Sequence, residues 1–166
     1  MTKYAPALIG SAYDGATIRN VLNMASGVAF NEDYGDFWSD INKMGRVIAL
    51  GGSLDAFTAG LSERRADPGA AYRYVSMDSH VLGMVLRGAT GKTIPTLMND
   101  RIFTPLRLER APFYLADSGG TAFATGGLNL TTRDYARFAQ MVLQGGRAGD
   151  VQVVPEVWIA EMTTPS

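Results

Sequence analysis

Residues 68–91 read PGAAYRYVSMDSHVLGMVLRGATG. A Pro68-Gly69 turn leads into an aromatic-rich segment, then Tyr74-Val75-Ser76, then an amphipathic stretch closed by Thr90-Gly91. The spacing of Val81, Leu82, Val85 and Leu86 predicts a helix from Asp78 to Ala89 that buries this face, with Gly91 as its C-cap. A Tyr-x-Ser set between a turn and a buried helix can present a phenol beside a reacting group. From spacing alone, however, Tyr74 reads as a core aromatic whose hydroxyl finds a polar partner. His80, the single histidine, lies one residue from the apolar stripe, where a packing role is expected, and the sequence identifies no acid partner for it.

Outward from this stretch the helical period recurs. Residues 17–25 predict a short helix with Ile18, Val21 and Leu22 on one face, stopped at Gly27. Residues 36–50 predict another, with Phe37, Ile41, Met44 and Ile48 at helical spacing and Gly51-Gly52 just past its end. Residues 53–67 are less periodic, and Ser62-Glu-Arg-Arg-Ala-Asp-Pro68 within and just past them reads as a solvated connection. A further helix is expected from Ile94 to Phe103, with Pro95 tolerated in its first turn. Residues 121–130 read as extended, and 131–143 as the clearest helix in the chain. There Thr131 and Asp134 form a capping pair, and Tyr135, Phe138, Ala139, Val142 and Leu143 make an apolar stripe. Val151 to Val154 is a strand candidate, and Pro155 starts a last helix bearing Trp158 and Met162. Residues 1–16 read as loop. A mainly helical chain with scattered short strands is either a complete all-α domain or one lobe of a larger α/β protein whose sheet comes from elsewhere.

Composition narrows the function classes. A chain of 166 residues with 46% hydrophobic residues fits one domain with its own core. A net charge of −1 with dispersed Lys and Arg provides no footprint for nucleic acid or an anionic membrane. No apolar run approaches the ~20 residues needed to cross a bilayer, and no signal segment is visible near Met1. With no cysteine, thiolate metal sites and a cysteine nucleophile are excluded, while the compartment stays open. No His/Asp/Glu cluster has metal spacing, so neither metal nor other cofactor is expected.

Several local motifs carry ordinary readings. Gly88-Ala-Thr-Gly-Lys-Thr93 comes close to a phosphate loop, but Leu86 stands where the first glycine belongs and the segment follows a helix. Ser26 reads as a helix-end residue with no base in view. Glu32, Asp33, Asp36 and Asp40 read as a solvated acidic face at a helix N-terminus. Arg133, Asp134 and Arg137 read as an ion-pair cluster at a helix start.

An ordered set of motifs runs through almost the whole chain. It comprises Thr17-Ile-Arg-Asn-Val-Leu-Asn-Met-Ala-Ser-Gly27, Pro68-Gly69 with Tyr72-Arg-Tyr-Val-Ser76, and Leu82-Gly83 with Ala89-Thr-Gly91. Ile102-Phe-Thr-Pro-Leu106, Gly126-Gly-Leu128 with Thr132-Arg-Asp-Tyr-Ala-Arg-Phe138, and Val153-Val-Pro-Glu-Val-Trp-Ile159 complete it. The set resembles the serine β-lactamase-related family: class C β-lactamases, family VIII esterases and 6-aminohexanoate-dimer hydrolases. One departure is Arg107, where the family usually places glycine after the leucine.

The resemblance implies the mainly helical lobe of a β-lactamase/transpeptidase-like α/β fold. It also implies hydrolysis of an ester or amide, with β-lactams and short oligoamides as candidate small-molecule substrates, through a seryl acyl-enzyme. A serine hydroxyl is a weak nucleophile and needs an adjacent base. Tyr74 matches the family tyrosine that manages the proton. Ser76 stands where the family often has asparagine, suited to hold substrate or orient a lysine, and Gly126 and Gly127 would border the substrate cleft. Yet no serine here has lysine three residues on; Ser62-Glu-Arg-Arg65 is nearest, and arginine cannot act as the base. The C-terminal Lys-Thr-Gly-type strand is also missing. Residues 1–166 are therefore expected to be a single partial domain, a fragment unable to acylate alone. A non-catalytic binding relative and a helical scaffold without a site are the alternatives.

Overall fold

A computed structural model describes residues 1–164; Pro165 and Ser166, which end the Thr163-Thr-Pro-Ser tail, lie outside the described residues. The chain divides into two units. Residues 1–94 with 115–127 form the first, and 95–114 with the chain from Leu128 onward form the second.

The first unit begins with a strap, residues 1–16, that carries one short 3-10 turn over Pro6–Leu8 and buries Leu8, Ala12 and Tyr13. This stretch is core, although its sequence reads as loop. Helix α1 (Ile18–Leu22) is opened by a reciprocal cap. The Asn20 backbone N–H donates to Thr17 Oγ1 at 3.1 Å, and the Thr17 N–H donates to Asn20 Oδ1 at 2.9 Å. It stops sooner than its apolar spacing predicts, because Met24 turns left-handed at φ 50°.

Helix α2 (Asp40–Ala49) starts four residues later than predicted. The carboxylate of Asp36 accepts from the Trp38 N–H at 2.8 Å and holds the preceding residues in turns, leaving Phe37 exposed. Ile41 and Met44 are buried as expected. A short helix, α3 (Leu54–Ala59), forms in the stretch whose sequence shows no clear period. Ser53 caps it from one side, and Asp117 Oδ2 accepts from the Leu54 N–H at 3.0 Å.

Helix α4 (Ser76–Thr90) is the spine of the unit and packs against α1 and α3. It closes on Gly91 at φ 68°, the left-handed C-cap that its sequence predicts. Its buried face is wider than the predicted stripe. Met77, Val81, Met84 and Val85 are buried together with the polar Ser76, Asp78 and His80, while Leu86 is half exposed. Each fully buried Val- or Met-sized side chain stabilises the fold by ~1.5–3 kcal/mol. Near the C-terminal end of α4, a Cβ on Gly88 would fall on the Tyr4 carbonyl oxygen of the strap.

In the second unit a helical run extends through α5 (Ile94–Met98), one π turn over Asn99–Phe103, and α6 (Thr104–Leu106). The run passes Phe103, where the predicted helix ends. Arg107 caps it in the left-handed region at φ 51°. Strands β1 (Phe113–Tyr114) and β2 (Leu128–Asn129) pair antiparallel. Helix α7 (Thr132–Leu143) follows, with Thr131 accepting from the Asp134 N–H at 3.2 Å. Strands β3 (Arg147–Ala148) and β4 (Val151–Gln152) form a hairpin, and α8 (Glu156–Thr163) ends the described chain.

The stripe predicted for α7 is not its buried side. Asp134 and Met141 are buried, whereas Tyr135 and Phe138 are exposed and Leu143 is 87% exposed. The 107–110 loop bonds to the other side of the helix. Asp134 accepts from the Glu109 and Arg110 N–H groups at 2.8 and 3.4 Å, and Arg137 pairs with Glu109 at 2.7 Å. The ion-pair cluster expected at this helix start is present, with Glu109 as its additional member. In α8, Ile159 is buried, while Trp158 and Met162 are exposed.

Candidate active site

The Tyr74 segment is fixed on both sides. Upstream, the Gly69 N–H donates to Ala25 O and the Arg73 N–H to Met24 O, both at 2.7 Å, so residues 69–73 run along the end of α1. Gly69 has φ 88°, and a Cβ there would sit 2.6 Å from Asn20 Nδ2, so the Pro-Gly turn requires glycine. Downstream, Val75 is extended and buried as the N-cap of α4. Alternation along extended backbone turns Tyr74 to the opposite side from Val75. Tyr74 is 52% exposed and is not the core aromatic that spacing alone suggests. Its hydroxyl makes no hydrogen bond among the described residues.

Ser76 is buried at the first position of α4. Its backbone N–H donates to Glu32 Oε1 at 2.5 Å and its hydroxyl to Glu32 Oε2 at 2.9 Å. Glu32 thus serves as a charged cap for α4 from a loop 44 residues earlier, matching the positive end of the helix dipole. Reading it as part of a solvated acidic face is incorrect. That loop is itself anchored, since Asn31 N–H donates to Asp40 Oδ2 at 2.9 Å and Ile41 N–H to Asn31 O at 3.1 Å.

Two residues beyond Ser76 along α4 a second carboxyl is enclosed. Asp78 is fully buried; Tyr13 Oη donates to its Oδ1 at 2.9 Å, and its Oδ2 has no hydrogen-bond partner among the described residues. Burial pushes the Asp78 carboxyl up to about 6; neighbouring Ser26 and Tyr13 oppose the rise, and the Glu32 charge adds to it. The Tyr13 phenol is raised well above its usual range, first by burial and then by Asp78. Ser26, expected at a helix end, is buried within this polar group.

The partner that sequence does not identify for His80 is Asp55, from the first turn of α3. His80 Nε2 lies 2.8 Å from Asp55 Oδ1, and Arg87 Nη2 donates to both oxygens of the same carboxylate at 2.7 and 2.9 Å. The His80 hydrogen bond first, and then the hydrogen bond and charge of Arg87, hold the Asp55 carboxyl below its ordinary range, against an opposing effect of burial. At 1% exposure His80 is out of reach of a substrate. The group ties α3 to α4.

The two glycines expected at the cleft differ. Gly126 is exposed, and a Cβ there would meet only Phe123 Cε1, at 3.9 Å, among the described residues. Gly127 is buried, and a Cβ there would meet Phe123 O at 2.6 Å and Leu115 O at 3.1 Å, so close backbone packing accounts for it. Among the described residues no group of three or more His, Asp or Glu side chains could hold a metal, and no helix is long and apolar enough to cross a membrane.

Comparison with known proteins agrees with this architecture. The Beta-lactamase family model matches residues 1–165. The chain is 32% identical over 164 residues to a 6-aminohexanoate-dimer hydrolase of Paenarthrobacter ureafaciens, covering 96% of this chain and 42% of that relative. A Bacillus anthracis structure assigned as a 6-aminohexanoate-dimer hydrolase superposes with a TM-score of 0.84 at 22% identity, over 99% of this chain and 45% of that one. A D-stereospecific amidohydrolase from Streptomyces superposes with a TM-score of 0.68 at 20% identity, over 100% and 58% of the two chains. The chain belongs to the beta-lactamase family. Its fold is a mainly helical part of the β-lactamase and penicillin-binding-protein architecture, and it spans less than half the length of the first two of these proteins.

Proposed function

We propose that residues 1–166 are the helical part of a serine hydrolase that cleaves an ester or amide through a seryl acyl-enzyme, with Tyr74 as the proton carrier. The supporting observation is the presentation of Tyr74. Its half-exposed phenol has no intramolecular hydrogen bond among the described residues, on a segment pinned at Arg73–Met24 and Ser76–Glu32. In this scheme the residues form one partial domain, and the nucleophilic serine and its lysine lie elsewhere in the longer protein. The serine oxygen adds to the substrate carbonyl while its proton passes to the base. The tetrahedral intermediate then expels the alcohol or amine, which takes the proton. Water adds to the acyl ester, releases the acid and restores the serine. Tyr74 Oη carries the proton in both directions and the exposed Gly126 borders the substrate, while Ser76, buried with its hydroxyl held by Glu32, positions the segment. Likeness to a relative named for a linear amide dimer favours short oligoamides over β-lactams as substrate.

Turnover of p-nitrophenyl butyrate and of the 6-aminohexanoate dimer by the intact protein tests the proposal. Tyr74→Phe is expected to lower kcat by about 100-fold or more, the usual contribution of a positioned acid–base group. Undiminished turnover in that variant would sink the assignment of Tyr74. No turnover by the intact wild type would leave the non-catalytic binding relative standing instead.

A further inference from the structure

The second unit contains an open cleft of about 490 Å³ between the end of α6, one side of α7 and the β3–β4 hairpin. This volume falls within the range of small-molecule sites. Three arginines, Arg107, Arg137 and Arg147, line it against a single acidic residue, Asp150, together with the buried Leu106 and Met141.

The three arginines are not equivalent. Arg137 is committed, donating to Arg107 O at 2.6 Å and to Glu109 at 2.7 Å. Arg147 is held within its hairpin by Gln152 Oε1 and Asp150 O, each at 3.2 Å. The Arg107 guanidinium makes no hydrogen bond or ion pair among the described residues. Its backbone is nevertheless in the left-handed region at φ 51°, where glycine is favoured over residues with a side chain. A strained position that forgoes glycine and instead places an unpaired cation on a cleft wall needs an explanation beyond folding.

We infer that this cleft binds a small molecule with an oxyanion head and an aliphatic body, the head on Arg107 and the body on Leu106 and Met141. Arg137 and Arg147 add positive potential, while their carbonyl and carboxylate partners keep them fixed. Carboxylate is the head group to which the proposal commits. The proposal is independent of the hydrolysis assigned above, because every lining residue belongs to the second unit and Tyr74 belongs to the first.

Calorimetric titration of the intact protein with hexanoate, with hexanol as the uncharged control, tests it. Arg107→Gly removes the cation while suiting the left-handed backbone, so it is expected to raise Tm slightly. It should also weaken hexanoate by about 10-fold, the worth of one charge-assisted hydrogen bond. Arg133→Gln, an exposed arginine off the cleft, should leave binding unchanged. Hexanoate that binds no better than hexanol, or equally well after Arg107→Gly, overturns the inference. Hexanoate binding that survives Arg107→Gly belongs to a different site and counts against this one.

Discussion

Glu32 takes both the backbone N–H and the hydroxyl of Ser76, so one carboxylate from a distant loop closes the start of α4. This bidentate cap lies two residues from Tyr74 and fixes the backbone on which the phenol is presented.

Removing the cap should loosen both the fold and the site. Glu32→Ala is expected to cost about 1–2 kcal/mol, the range for losing an N-terminal cap, read as a lower urea midpoint. In the intact protein it should lower kcat more than it raises KM, because it displaces Tyr74 without removing a substrate contact. Glu32→Gln keeps one acceptor and should recover most of the stability.

Asp78 makes stability depend on pH in the direction opposite to most carboxylates. Its folded value of about 6 lies above the ordinary aspartate value of 3.8, so the folded state holds more protons between them. Stability therefore falls as pH rises through roughly 4 to 6. Asp78→Asn should flatten that fall and stabilise the protein at pH 7 relative to wild type, by on the order of 2 kcal/mol. Chemical denaturation at pH 4, 5, 6 and 7 checks it; parallel profiles for the two proteins would refute the buried-charge account.

Asp55 has the opposite sign. Its carboxyl is held below the ordinary value, so its contribution is full above pH ~4 and disappears as pH falls through its folded value. Asp55→Asn should destabilise the protein at pH 7 by about 2 kcal/mol, consistent with losing hydrogen bonds to charged groups, and the difference should shrink below pH 4. Thermal melts at pH 7 and pH 3 separate these outcomes.

Glycines 88 and 91 offer a paired comparison. Gly88→Ala places a methyl against the Tyr4 carbonyl and is expected to cost roughly 3 kcal/mol, as for overpacking. Gly91→Ala meets open space and is strained only by its positive φ, so about 1 kcal/mol is expected. Equal losses in the two variants would mean that the strap is not held against α4.

Local signals in the sequence located what depends on neighbouring residues. Thr131 and Asp134 mark the start of α7, Gly91 ends α4, and the ordered motifs from Thr17 to Ile159 identify the family. What it did not disclose depends on partners far along the chain. Helix α3 is only six residues long, and Asp117, which caps Leu54, is 63 residues away. The Glu32–Ser76 cap spans 44 residues and the Asp55–His80 contact 25, so each acid reads locally as surface charge. Periodicity marked the apolar sides of α4 and α7 but not which neighbours cover them. On α7 the ion network around Asp134 and Glu109 binds the opposite side. The exposure of Tyr74 follows from the buried Val75 beside it, a two-residue alternation that a single tyrosine in a motif does not reveal.

The strap grips α4 twice, with the Tyr13 hydroxyl on Asp78 and the Tyr4 carbonyl against Gly88. Ten residues of helix separate the two grips, on the order of 15 Å, and nine residues of strap span the same interval. The strap therefore acts as a calliper with both jaws set. Lengthening or shortening it by one residue between Tyr4 and Tyr13 forces one jaw to slip. A slip at Asp78 would be transmitted over two residues of helix to the cap at Ser76 and then to Tyr74. The surface of the strap bears no such constraint, but its length is tied to the pitch of the helix it spans.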